Sequence, residues 1–121
     1  MNSLDSVEIK AFIPAHSFDR SQQFYQDLGF TLKSSGHGIA YFCHGTCSFL
    51  LQDYYNAELA KNLMMHLLVT DIEAWWIYIH KQDLAQRYNV KLSAIQQQPW
   101  GMREFTLTDP SGVLWRIAEN V

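Results

Sequence analysis

Val7, Ile9, Ala11 and Ile13 alternate with Glu8, Lys10 and Phe12, the period-two pattern of a half-buried strand, which Pro14 ends. The period then lengthens. Phe18, Phe24, Tyr25 and Leu28 fall on one side of a helix that Ser17 or Asp19 can cap and Gly29 stops. Three short strands follow, "FTLKS", "IAYFC" and "CSFLLQ", parted by glycine-containing turns. A polar connection, "DYYNAELAKN", has room for a helical turn and leads into a second round. "MMHLLVT" is a strand that turns Met65, Leu67 and Val69 one way and Met64, His66 and Leu68 the other. Asp71 can cap a helix over "IEAWWIYIHKQDLAQRY", where Ile72, Trp75, Trp76, Ile79 and Leu84 recur at helical spacing. "VKLSAIQQ", "REFTLT" and "VLWRIA" supply three more strands.

The order strand, helix, three strands thus occurs twice. The expected fold is α+β: two tandem βαβββ units, about residues 5–53 and 63–119, in one domain spanning 1–121. Each helix covers one face of its strands and leaves the other for a concave surface.

The last hairpin has the sharpest signal. Asp109-Pro110-Ser111-Gly112 is a tight turn, and a Pro-Ser-Gly loop with a bulge at Gly112 sets Asp109 opposite Val113. Phe105, Leu107, Val113, Trp115 and Ile117 then share a core face. Glu104, Thr106, Thr108, Leu114 and Arg116 share the other, which is too polar to be core.

Composition narrows the classes. Apolar residues make up 48%, enough to fill a core, and charged residues only 17%, which argues against disorder. A net charge of −3 without a Lys/Arg run gives no reason to expect nucleic acid or an anionic membrane as partner. Apolar runs are short of a spanning helix and the N-terminus lacks a signal-peptide pattern, so a cytoplasmic protein is expected. Cys43 and Cys47 flank a hairpin tip, where a cross-strand disulfide is imaginable but free thiols are the expectation in a reducing compartment. A lone C-x₃-C is a poor zinc signal.

Tandem βαβββ units carrying "SFDRSQQFYQDLGF" and closing on "REFTLTDPSGVLWRIAEN" resemble the vicinal oxygen chelate superfamily. That superfamily includes glyoxalase I, extradiol dioxygenases, fosfomycin-resistance enzymes and bleomycin-resistance proteins. The likeness is strongest to the bleomycin-resistance type, which has an aromatic-Gly pair ahead of the DP-x-G hairpin, as in Trp100-Gly101. The resemblance implies a curved mixed sheet around a cleft, a homodimer with clefts at the subunit interface, and a small molecule bound there without chemistry.

The superfamily's enzymes hold a divalent metal in the concave sheet, and their ligand positions fall at Lys10, Met64 and Arg116. None is a ligand for a hard or borderline dication. Two are cations, each costing about 8 kcal/mol against a dication about 4 Å away at an effective dielectric near 20. A displaced set, Glu8, His66 and Glu104, is the metal-bearing alternative, since a His-plus-carboxylate set suits iron, manganese or zinc. Against it, the two carboxylates can pair with Lys10 and Arg116.

Candidate ligand-binding residues are Lys10, Phe12, Phe42, Met64, His66, Trp100, Glu104 and Arg116. Arg116 can clamp a carboxylate or phosphate, or pair with Glu104. Trp100 can stack on a flat or cationic ligand, or plug the dimer interface. Adjacent Trp75 and Trp76 read as helix-to-sheet packing, and Trp115 as core. His16, His37, His44 and His80 form no catalytic spacing.

The first functional reading is a non-catalytic protein that sequesters a drug-like or aromatic, even cationic, small molecule and needs no cofactor. The second is a glyoxalase- or dioxygenase-like enzyme using a divalent metal at the displaced set. A regulatory or scaffold dimer with a vestigial cleft is the third.

Overall fold

A computed structural model of the chain describes residues 3–121. The first unit comprises β1 (Phe12–Pro14), α1 (Phe18–Leu28), β2 (Thr31–Gly36), β3 (Ile39–His44) and β4 (Cys47–Gln52). After α2 (Ala57–Asn62), the second comprises β5 (Met64–Leu68), α3 (Ile72–Lys81), α4 (Leu84–Tyr88), β6 (Gln96–Gln98), β7 (Met102–Thr108) and β8 (Leu114–Asn120). Each unit makes a four-stranded mixed sheet, in the order β1-β4-β3-β2 and β5-β8-β7-β6. In both, the first strand lies parallel to the last and the other pairs are antiparallel. The repeat expected from periodicity is therefore a repeat of topology, and the fold is α+β.

The inner faces of the two sheets share one core. Ala40, Phe42, Phe49 and Leu51 come from the first sheet, and Phe105, Leu107, Trp115 and Ile117 from the second. Phe24, Tyr25 and Leu28 of α1, Ile72 and Ile79 of α3, and Leu84 and Tyr88 of α4 close it. Burying such a side chain contributes roughly 1.5–3 kcal/mol relative to leaving it exposed.

Tyr25 joins the units through polar contacts as well as packing. Its hydroxyl donates to Asp109 Oδ2 at 2.6 Å and accepts the Trp115 indole N–H at 2.9 Å. Asp109 Oδ1 accepts the backbone N–H groups of Ser111 (2.8 Å) and Val113 (2.9 Å). Burial raises the Asp109 carboxyl above its ordinary value, against these hydrogen bonds, and holds the Tyr25 phenol well above its own. The turn has the expected register: Thr108 faces Leu114, the Asp109 N–H reaches the Val113 carbonyl at 2.9 Å, and Gly112 takes φ +95°. All five expected core-face residues are buried.

Three local expectations fail. Only Phe12–Pro14 of the first expected strand pairs with β4, while Val7 and Ile9 are 97% and 95% exposed. No core of the same chain extends far enough to cover them. The single helix expected over residues 72–88 breaks where Asp83 adopts a left-handed conformation (φ 53°), which Asp tolerates, and the break turns Leu84 and Tyr88 inward. "VKLSAIQQ" gives one isolated bridge, Leu92 to Leu107, before β6.

Candidate functional site

Residues facing each other across a ladder point to the same side of a sheet. On the second sheet, His66 faces Arg116, which faces Thr106, and Leu68 faces Ala118, which faces Glu104. This row is the outer face, away from the core. Met64 and Leu68 stand there 57% and 50% exposed, and His66 is exposed beside them.

Arg116 holds Glu104 by two parallel bonds, Nε to Oε2 and Nη2 to Oε1, each 2.9 Å. Glu104 is 3% exposed, so the pair keeps a carboxylate inside the face from being buried alone. The guanidinium lies 5.8 Å from the centroid of the Trp100 ring. Trp100 sits on the turn before β7, where Gly101 takes φ +81°, and is 57% exposed. A carboxylate, a guanidinium and an open indole therefore form one continuous stack.

The outer face of the first sheet has a second charged cluster. Glu8 accepts from Lys10 Nζ at 2.9 Å, from the Tyr41 hydroxyl at 2.8 Å and from the Ser48 hydroxyl. Ser48, then Lys10 and Tyr41, draw the Glu8 carboxyl down to about 2. Lys10 also lies 5.3 Å from the Tyr41 ring centroid, and Phe12 is 52% exposed nearby on β1.

The candidate residues thus fall in two groups, with Lys10 and Phe12 on the first sheet and Met64, His66, Trp100, Glu104 and Arg116 on the second. Phe42 is a correction. It is 0% exposed, stacked on Phe49 at 5.4 Å and 15° in the core, so it does not line the outer face. Tyr41 takes that side instead, with Cys43 and, across the ladder, Ser48. "IAYFC" is apolar at both parities, and only the chemistry of Ser48 one strand away hinted at which side is open.

The superfamily's divalent metal does not fit the residues present. Two of the three positions that the resemblance implies for it carry cations, each in an ion pair with a carboxylate, Lys10 with Glu8 and Arg116 with Glu104. The displaced set is divided: Glu8 stands against the first sheet, His66 and Glu104 on the second. Among the described residues no three His, Cys, Asp or Glu side chains are grouped to hold an ion.

Cys43 faces Ser48 and Cys47 faces His44, so the two thiols are out of register by one residue and both are free. Three of the five histidines sit against rings: His16 on Tyr55 (4.8 Å), His44 on Phe30 (5.5 Å) and Trp75 (5.0 Å), His80 on Trp76 (3.9 Å). No helix among the described residues is long and apolar enough to cross a membrane.

Solved structures with this fold include binders and an enzyme. A bleomycin-binding protein from Streptomyces verticillus, complexed with copper(II)-bleomycin, superposes with a TM-score of 0.78 at 20% identity, over 97% of this chain and 100% of the other. TnmS3, an antibiotic-binding protein from Streptomyces sp. CB03234, gives 0.76 at 19% identity, over 99% and 100%. Lactoylglutathione lyase from Agrobacterium tumefaciens gives 0.69 at 16% identity, over 95% and 94%. No curated protein sequence matches the chain. A sequence profile does match residues 4–117, and the chain belongs to the Glyoxalase/Bleomycin resistance protein/Dioxygenase superfamily.

Proposed function

We propose that this protein binds a small drug-like or aromatic molecule without transforming it, in a cleft that a second copy of the chain completes. The observation that carries the reading is the Glu104–Arg116–Trp100 stack. It sets a paired cation at a position that the resemblance assigns to a metal ligand in the superfamily's enzymes, beside an indole more than half exposed. Stacking a planar ring on Trp100 would contribute about 0.5–1.5 kcal/mol beyond area burial. Bleomycin-binding and antibiotic-binding proteins share the fold, which supports a ligand of that class.

Each outer face is half of such a cleft. The inner faces share a core, so the halves look away from one another, and Val7, Ile9, Phe12, Met64 and Leu68 leave apolar surface uncovered around them. A homodimer that apposes the first sheet of one copy with the second sheet of the other would cover it. The free thiols favour a reducing, cytoplasmic setting.

The test is paired. Chelator-stripped protein is titrated with iron, manganese, nickel and zinc, then with bleomycin while tryptophan fluorescence is read. Saturable quenching that falls about tenfold in affinity with Trp100→Ala, and no stoichiometric metal uptake, is the expected result. About one tightly held ion per chain, lost with His66→Ala, would overturn the reading in favour of metal-dependent chemistry.

A further inference from the structure

A pocket of about 340 Å³ opens between the two units, where the end of α1 and the β3–β4 hairpin of the first meet α3 of the second. Leu28 and Gly29 at the end of α1 form one wall, His44 at the tip of the β3–β4 hairpin another, and Ala74, Trp75 and Tyr78 of α3 the third. None of these residues belongs to the stack or to the Glu8 cluster.

Contacts made by its own walls hold the pocket open. The Tyr78 hydroxyl donates to the Asp27 carbonyl at 2.8 Å, fixing α3 against α1. Gly29 ends α1 at φ +115°, and the absence of a side chain there keeps the floor clear. His44 is wedged between Phe30 and Trp75, at centroid distances of 5.5 and 5.0 Å. An open, largely apolar depression of this volume falls in the roughly 300–1,000 Å³ range of small-ligand sites.

Its walls specify the occupant. Three aromatic side chains, His44, Trp75 and Tyr78, line it and no carboxylate, ammonium or guanidinium does. The indole N–H of Trp115 goes to Tyr25 and that of Trp76 to the Ser93 carbonyl at 3.1 Å. That of Trp75, half-buried at the pocket, has no hydrogen-bond partner among the described residues. A ring supplies edge and face contacts to such walls, and an oxygen on the ring takes the place of solvent as acceptor for the indole N–H. The volume matches one ring system.

We propose that this pocket is a second binding site, separate from the sheet cleft, for a single uncharged aromatic ring bearing a hydroxyl or carbonyl oxygen.

Phenol is the probe. The four indole N–H signals in a ¹H–¹⁵N spectrum report the sites separately. Titration should move the Trp75 signal saturably, with Trp100→Ala leaving that response unchanged. Ala74→Leu, on an exposed helical position that accepts leucine, should plug the pocket and weaken the response at least about tenfold. Unmoved Trp76 and Trp115 signals in that variant certify its fold, and Tyr78→Leu, which widens the pocket, should weaken the response too. No saturable shift at Trp75, or an equal shift in Ala74→Leu, would overturn the proposal. Movement of Trp100 alone would also overturn it, while leaving the cleft reading intact.

Discussion

Arg116 meets Glu104 fork to fork, two bonds of 2.9 Å on a carboxylate that is 3% exposed. Removing one partner of a fully buried pair costs about 3–5 kcal/mol. The Arg116 side chain is 32% exposed, so solvent returns part of that, and Arg116→Met should cost about 2–3 kcal/mol in urea unfolding. Adding Glu104→Gln should recover most of the loss, because the stranded charge is then gone. A single variant as stable as the parent would show that the pair does not matter for folding.

Tyr25→Phe deletes only one oxygen, yet it takes the donor from Asp109 and the acceptor from Trp115. A hydrogen bond to a charged group contributes about 1.5–3 kcal/mol, and a loss of that size is expected. The Asp109 carboxyl also gives a pH signature. Its folded value lies above the ordinary 3.8, so the folded chain holds the proton more tightly, and this group's contribution falls as pH rises past 3.8. Stability measured against pH should lose that component in Asp109→Asn.

Glu8 works with the opposite sign. Its carboxyl is lowered from 4.5 to about 2, so the contribution of its contacts is complete above 4.5 and lost as pH falls toward about 2. Carboxyl carbon shifts in NMR should show a midpoint near the lower value. Glu8→Gln should speed proteolysis of the segment before β1 at neutral pH, since that side chain ties it to Tyr41 and Ser48. Unchanged cleavage would mean other contacts hold the segment.

Ile9 tests the association. At 95% exposure it does little for the isolated chain, so Ile9→Glu should leave the thermal midpoint of a monomer nearly unchanged. Sedimentation should show the parent as a dimer and the variant shifted toward monomer. A parent that sediments as a monomer at all concentrations would sink the two-copy cleft.

The repeat, the core face of the last hairpin and the Arg116–Glu104 pair were legible in the sequence because each rests on strict alternation or a strong turn signal. Phe42 was misplaced for the converse reason: Ile39 to Cys43 is apolar on both faces, and only packing against Phe49 decides the parity. The break at Asp83 was hidden because Asp carries no helix-ending mark as clear as Gly29. Val7 and Ile9 followed the strand pattern perfectly, but a pattern states only that something covers a residue, not that the same chain does. Asp109 read as a turn opener; that its carboxylate would be buried under Tyr25 depended on contacts 84 positions apart.

The Tyr25 bridge also bears on how the two halves relate. Its ring packs on Phe42 and Phe49 of one sheet and Trp115 of the other, while its oxygen is shared with the last turn. Cutting the chain between the units would strip each of half its interior and strand a buried carboxylate in the second. The duplicated architecture should therefore melt as one cooperative body, with neither copy of the motif folding as an autonomous module.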